Sequence, residues 1–220
     1  MMWVGRLGSG PVAAIGTASF FINLGIALAT MITIGTGIKV SHCMGAGEGD
    51  KAKTYIKNGF IMSVLLGLLY IAFVFLTKDQ LIGFFDLGSG EVELMAKQFL
   101  LISILGTVFS VVNILFATIL NAMGISKQPF HIFTVGLILN IILDPFLIFG
   151  IGRFEGLGVV GAAIATLMAN LLVTLLFIIQ TRHSELITKS SAWNSRLMKE
   201  VIRMGLPIVY CILKMPRIAA

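Results

Sequence analysis

Charged residues are scarce in this chain of 220 residues, where Asp, Glu, Lys and Arg together make up 12% of the total. Hydrophobic residues account for 57%, and the mean hydropathy is +1.00. A water-soluble domain of this size needs more polar surface than that to cover its core. The lack of charge therefore excludes an ordinary soluble domain and indicates a membrane protein.

Cysteine and histidine are also rare. Cys43 and Cys211 lie far apart in the sequence, so no disulfide framework is indicated. None of the three histidines, His42, His131 and His183, stands at a metal-ligand spacing from a carboxylate or a cysteine. We therefore expect no cofactor and no metal site built from these residues.

Five long runs contain almost no charged residue. A bilayer core of about 30 Å requires roughly 20 apolar residues in a helix. The runs predict five transmembrane helices at about residues 12–38, 58–77, 97–122, 129–151 and 157–181. A transmembrane barrel is excluded, because its strands would alternate polar and apolar residues over about ten positions. The predicted fold class is an all-α integral membrane protein.

The net charge of +6 comes from basic residues that lie between the apolar runs. They do not form one patch with interleaved aromatic residues, so we expect no nucleic-acid partner. The links around Lys51, Lys127 and Arg182 are basic, and the positive-inside bias places them in the cytoplasm. Residues 182–203 are predicted to be a cytoplasmic linker, and residues 204–220 to begin a further helix.

The link between the first two predicted helices is rich in glycine and ends at Asp50. A phosphate-binding loop would follow a strand, and no strand precedes this segment. We expect a tight turn in which the Asp50 carboxylate caps the next helix by accepting hydrogen bonds from its first amides.

One acidic residue, Asp144, lies inside the fourth predicted helix. Gly136, Asn140 and Asp144 are spaced by four residues and share one helical face, and Pro145 removes a backbone donor next to them. Carboxylate and amide oxygens are ligands for a small cation, and a buried carboxylate can also exchange a proton. Intramembrane carboxylates are costly and often mark ion or proton paths.

Two residues on other helices are further candidates for this site. On the fifth predicted helix, Thr166 lies in a stripe of small and polar residues spaced by four, typical of a helix that packs closely against a neighbour. Its hydroxyl can add an oxygen ligand. Asn113 on the third helix either bonds to a neighbouring helix or belongs to the site.

Several of these segments together resemble the multidrug and toxic compound extrusion (MATE) family of cation-coupled antiporters, which are built from two six-helix bundles. The matching segments are residues 4–8, the turn at Asp50, and residues 121–127, 140–145 and 161–166. The resemblance covers nearly the whole chain. It aligns the five predicted helices with the family's second to sixth helices and residues 205–207 with the start of the seventh.

The resemblance implies an antiporter, not an enzyme, that exports small organic, often cationic, drugs by alternating access and is coupled to H⁺ or Na⁺. Asp144, Asn140 and Thr166 would correspond to the coupling-ion site, with Asn113 as a less certain member. The protein would lie in the cell membrane as a monomer when complete. Its only metal would be Na⁺ at this same site.

The same resemblance implies that residues 1–181 are a partial amino-terminal bundle and that residues 204–220 are the truncated start of the second bundle. The family's first helix, which carries another acidic residue near the site, and the rest of its second bundle have no counterpart here. Since alternating access needs two bundles, we expect the chain expressed alone not to transport. The alternatives are a flippase for lipid-linked precursors from the same superfamily, a membrane-embedded enzyme, and a non-transporting truncated membrane protein.

Overall fold

The computed structural model describes residues 3–85, 87–151, 154–182 and 195–214. Nearly all of these residues are helical, apart from one short pair of antiparallel strands. In chain order the elements are a 3-10 turn (Val4–Leu7), α1 (Ser9–Gly45), α2 (Gly49–Gly83), α3 (Gly90–Ala122), α4 (Lys127–Phe149), β1 (Gly150–Ile151), β2 (Phe154–Glu155), α5 (Gly158–Thr181) and α6 (Ser195–Lys214).

Helices α1 to α5 are each long and apolar enough to cross a membrane, with mean hydropathies between 1.9 and 2.5 in their most apolar windows. The chain is therefore a multi-pass membrane protein of the all-α class, as the sequence predicts. The two strands contain only two residues each and join α4 to α5.

The first two helices extend well beyond their predicted bounds. α1 and α2 contain 37 and 35 residues and are separated only by residues 46–48. At 1.5 Å per residue they are roughly 50–55 Å long, which exceeds the bilayer core of about 30 Å. The charged residues mark where each helix leaves the hydrocarbon region. They do not mark where the helix ends, because backbone hydrogen bonds continue equally well in water.

The prediction that Asp50 caps α2 is wrong. The N-cap of α2 is Glu48, which makes no side-chain capping bond, and Asp50 is already the second helical residue. The Asp50 carboxylate instead lies 2.9 Å from the Lys53 ammonium group one turn along α2. The turn itself is made by Gly47, whose φ of 73° suits a residue without a side chain.

The ends of α4 and of the predicted linker also differ from expectation. α4 runs through Pro145 and ends at Phe149, two residues early, because Gly150 takes a φ of 76°. Asp144 consequently lies five residues before the end of its helix. Within the predicted linker 182–203, α6 already begins at Ser195, while residues 183–194 lie outside the described part of the chain, as do residues 215–220 of the last predicted segment.

Helix α3 is the centre of the packing and contacts α1, α2 and α5. Tyr70 of α2 packs against Gly25 of α1 and donates a hydrogen bond to the Phe21 backbone oxygen at 2.6 Å. Between α3 and α5, the rings of Phe116 and Phe177 stack with their centroids 5.4 Å apart. α4 lies at the margin of this bundle and packs chiefly on α5, so it keeps much of its surface exposed.

Candidate functional site

Two glycines bring α4 and α5 into backbone contact. A Cβ atom added at Gly136 of α4 would overlap the Val173 side chain of α5, and one added at Gly161 of α5 would overlap the backbone oxygen of Leu147 in α4. Membrane helices approach this closely where small residues face each other. The predicted site residues Asn140, Asp144 and Thr166 lie between these two contacts.

Asn140 and Thr166 face each other across the α4–α5 interface. The Asn140 Nδ2 group donates to Thr166 Oγ1 at 3.5 Å, which is at the long limit for a hydrogen bond. The Thr166 hydroxyl itself donates to the backbone oxygen of Ala162 at 3.0 Å on its own helix. Its oxygen is thereby turned toward α4, where it accepts from Asn140.

Asp144 lies one turn beyond Asn140 on α4 and is half-buried. Among the residues that the structure describes, its carboxylate has no hydrogen-bond or ion-pair partner. A carboxylate within an apolar span is costly unless it is protonated or bound to a cation. Asn140 lies one turn before it and contacts Thr166, and carboxylate, amide and hydroxyl oxygens are groups suited to a proton or a small hard cation.

Asn113 occupies a different place. It is only 1% exposed, its Nδ2 group donates to the Asn170 backbone oxygen at 3.1 Å, and its Oδ1 atom accepts from Thr174 Oγ1 at 2.8 Å. Both partners belong to α5. In the described part of the chain, Asn113 thus joins α3 to α5 and bonds to neither Asn140 nor Asp144.

Thr174 also belongs to this polar network of α3 and α5, although the sequence pattern did not predict it as a site residue. It continues, at the same spacing of four, the stripe that contains Thr166 and Asn170, so extending the pattern by one turn would have found it. The Asn170 side chain donates to the backbone oxygen of Thr166 at 3.1 Å. Polar contacts therefore run from Asn113 along α5 to the Thr166 position.

A transition-metal site has no support in the described residues, which contain no group of three or more His, Cys, Asp or Glu side chains able to hold an ion. The one carboxylate of the candidate site is that of Asp144 on α4. A monovalent cation or a proton suits such a set better than a divalent metal, which needs more anionic oxygen ligands.

The sequence is similar to known multidrug transporters. A family model described as MatE matches residues 1–146. The chain is 28% identical over 180 residues to a probable multidrug resistance protein NorM of Thermotoga maritima, covering 80% of this chain and 38% of that protein. It is 28% identical over 184 residues to the multidrug export protein MepA of Staphylococcus aureus, covering 82% of this chain and 40% of that protein.

The fold is also similar to solved structures. A crystal structure of MATE in the bent conformation superimposes with a TM-score of 0.87 at 27% identity, covering 98% of this chain and 48% of that chain. An inward-facing multidrug resistance MATE family transporter superimposes with a TM-score of 0.82 at 26% identity, covering 94% and 47%. The chain spans about two fifths of the length of these curated relatives and about half of these solved chains.

Proposed function

The chain belongs to the MatE family, and from this we propose that it forms part of an exporter of small organic, often cationic, compounds coupled to H⁺ or Na⁺. The names of its relatives describe multidrug resistance and export. The observation that carries the proposal is the half-buried Asp144 carboxylate in an apolar span, one helical turn from Asn140, whose amide contacts Thr166.

The coupling ion would be held between α4 and α5. A proton would neutralise Asp144 directly, and Na⁺ would bind the carboxylate together with the oxygens of Asn140 and Thr166. The 3.5 Å contact from Asn140 to Thr166 is weak enough to be exchanged, and turning the Asn140 amide over would present its oxygen in place of its NH₂ group.

Coupling would follow from the charge of Asp144. With the carboxylate ionised, an organic cation can pair with it, and with the carboxylate protonated or bound to Na⁺ that attraction is lost. Substrate and coupling ion would therefore compete for one charge, and each would promote release of the other. The rocking of two helical bundles that exposes this charge to either side in turn is part of the same proposal.

The proposal is tested with Asp144→Asn in the full-length product of the gene, expressed in a bacterial host that lacks its own drug exporters. We expect the rate of ethidium efflux to fall about tenfold or more, because an amide keeps the shape but loses the exchangeable charge, and tenfold corresponds to only about 1.4 kcal/mol of binding energy.

Asp79→Asn is the matched control. This carboxylate lies near the end of α2 and is paired with Lys97 at 2.8 Å, away from the α4–α5 interface. Efflux by this variant should equal that of the wild type. Undiminished efflux by Asp144→Asn would refute the role of Asp144. Transport of lipid-linked precursors without any drug efflux would favour the flippase instead.

A further inference from the structure

Three polar side chains of α1 and α2 are buried without a hydrogen-bond partner among the residues that the structure describes. Asn58 of α2 is 1% exposed, and both its Nδ2 group and its Oδ1 atom are unpaired. The hydroxyl groups of Thr36 in α1 and Ser63 in α2 are buried and unpaired as well. A buried amide without a partner is costly, and folded proteins almost always supply one. These groups therefore indicate a polar occupant.

Thr36 and Asn58 lie at the same level of the bundle. A Cβ atom added at Gly59, next to Asn58, would lie only 2.6 Å from the Thr36 hydroxyl oxygen, so α1 and α2 touch at this level. The hydroxyl groups of Thr30 and Thr118 donate to the backbone oxygen four residues earlier in their own helices. In the described part of the chain the Thr36 hydroxyl makes no such bond and lies against α2.

An open recess lies one helical turn away, at the end of α1 and α2 that is expected in the cytoplasm. It has a volume of about 310 Å³, and its lining includes Lys39 of α1 and Tyr55 of α2. Lys39 stands three residues after Thr36, and Tyr55 stands three residues before Asn58. Since water takes up roughly 30 Å³ per molecule in the liquid, the recess has room for several molecules. The buried polar groups thus lie one turn beyond a place that water can reach.

Helix α6 closes the third side of this region. Glu200 Oε2 lies 2.7 Å from the Lys39 ammonium group and accepts a hydrogen bond from the Tyr55 hydroxyl at 2.7 Å. A Cβ atom added at Gly35 of α1 would overlap the backbone oxygen of Val201, so the first half of α6 packs directly on α1. Ionised groups are strongly hydrated, and this ion pair therefore keeps water at the entrance to the buried level.

The unpaired groups favour water over a cation as the occupant. Asn58 presents both a donor and an acceptor, and water can pair with either, whereas a cation can bond only to the oxygen. Thr36, Asn58 and Ser63 include no carboxylate, so a cation held by them would be buried without a counter-charge. Buried waters in proteins typically make about three hydrogen bonds to groups that would otherwise be unpaired.

We propose that the bundle contains an internal water site between α1 and α2, in which water bonds to Asn58 and Thr36 and exchanges with the cytoplasmic recess. The water joins the two helices by pairing with a side chain of each. Ser63 lies one turn beyond Gly59 and can turn its hydroxyl to the Gly59 backbone oxygen, so the site does not depend on it. The site also does not depend on the proposed transport function.

A double-mutant cycle in the purified full-length product of the gene tests whether the two residues share a water. Asn58→Leu keeps the branched shape and removes both polar groups, and Thr36→Val does the same on α1. We expect each variant to lower the melting temperature, and the double variant to melt close to the less stable single variant, because the shared bonds are already lost.

The cycle contradicts the proposal in two cases. If Asn58 were dry, Asn58→Leu would replace an unpaired amide by an apolar group and would raise the melting temperature. Additive effects of Asn58→Leu and Thr36→Val would show that the two side chains share no water.

Thr33→Val is the matched control for Thr36→Val. Thr33 lies on the same helix and is 1% exposed, but its hydroxyl already donates to the Thr30 backbone oxygen at 3.0 Å. Its effect should add to that of Asn58→Leu. Coupling as large as that between Asn58→Leu and Thr36→Val would indicate a general loosening of the helix contact and would overturn the shared water.

A structure of the full-length wild type, at a resolution that shows ordered water, observes the occupant directly. We expect water density within hydrogen-bond distance of the Asn58 and Thr36 side chains, and weaker density in Thr36→Val. A direct Asn58–Thr36 bond without water would overturn the proposal. These two maps decide the question even if Asn58→Leu does not accumulate in the membrane.

Replacing Na⁺ by choline at constant ionic strength distinguishes water from a bound cation. The change in melting temperature should be the same in the wild type and in Asn58→Leu, because any Na⁺ held beside Asp144 lies on other helices. A stabilisation by Na⁺ that Asn58→Leu abolishes would place a cation at Asn58 and would overturn the assignment to water. This measurement does not require export, so a product that exports nothing refutes the proposed function and leaves the water site to these tests.

Discussion

At the scale of single residues, the candidate site divides into two groups with different contacts. Asn140 and Thr166 meet at the α4–α5 interface through a long bond that can exchange partners, and Asp144 lies one turn beyond Asn140. Asn113 is fully engaged, because each end of its amide has a partner on α5. We therefore expect Asn113 to serve packing, since ligand binding would first have to break those bonds.

Replacing Asn113 tests this division. Asn113→Ala removes both bonds to α5. The Thr174 hydroxyl lies 2.9 Å from the Asn170 backbone oxygen and can still donate to it, so we expect a loss of about 1 kcal/mol for each bond removed. We expect the melting temperature of the purified protein to fall, while the dependence of efflux on Na⁺ or pH stays unchanged.

Ser110→Ala on the same helix is the control for Asn113. The Ser110 hydroxyl bonds only to the Gly106 backbone oxygen of its own helix, at 3.2 Å, so its loss should leave the melting temperature nearly unchanged. A shift in the ion dependence of efflux in Asn113→Ala, at an unchanged melting temperature, would instead assign Asn113 to the coupling site.

Replacing Thr166 should have the opposite effect to replacing Asn113, because we expect it to change the ion dependence of efflux and to leave stability almost unchanged. Thr166→Val keeps the shape and removes the hydroxyl, so we expect a several-fold higher Na⁺ or H⁺ concentration for half-maximal efflux and only a small change in melting temperature. Thr166→Ser keeps the hydroxyl and should restore the wild-type value. Equal behaviour of the valine and serine variants would exclude the hydroxyl as a ligand.

At the scale of helices, glycines decide which polar side chains meet. α4 has few buried residues, and one of them, Gly136, touches Val173 of α5. Gly161 of α5 likewise touches Leu147 of α4. These two contacts fix the distance between α4 and α5 where Asn140 and Thr166 face each other. A larger residue at either glycine would separate the helices and the polar groups that they carry.

Gly136→Leu is therefore expected to impair efflux as strongly as a change in Asp144, because the added side chain would push α4 away from Val173 and break the Asn140–Thr166 contact. Drug efflux and melting temperature are the measurements. Gly16→Ala in α1 is the control, since nothing lies within 4 Å of a Cβ atom at that glycine. Wild-type efflux in Gly136→Leu would show that the close approach is dispensable.

At the scale of the whole molecule, the placement of charge predicts the orientation in the membrane. Lys39, Lys51 and Lys53 surround the α1–α2 turn, whereas Glu91 and Glu93 follow the α2–α3 turn. Basic links remain in the cytoplasm because of the positive-inside bias. The α1–α2 turn is accordingly expected inside the cell and the α2–α3 turn outside.

Labelling of single cysteines checks this orientation, in a background without Cys43 and Cys211. Ala46 and Ser89 are exposed residues of the two turns. In intact cells, a membrane-impermeant maleimide should label Ser89→Cys, and it should label Ala46→Cys only after the membrane is permeabilised. The reverse pattern would invert the topology and place the Asp144 end of α4 in the cytoplasm.

The sequence by itself determined the class of the protein and the position of its membrane spans. Runs without charge are sufficient for this, because lipid offers no partner for a charged group or an open backbone bond. The spacing of Asn140 and Asp144 also placed both on one helical face. The sequence did not determine the helix ends at Gly45 and Gly49, since a helix that has left the membrane continues without any hydrophobic signal.

Tertiary structure alone decided which polar residues lie together. Asn113 and Thr166 look alike in sequence, as polar residues in apolar helices, but Asn113 is bound within the α3–α5 contact and Thr166 faces Asn140. It also decided that the first half of α6 docks on α1 through Gly35 and Glu200. The physical reason is that spacing fixes the face of a helix, whereas the partner of that face depends on how closely separate helices can approach.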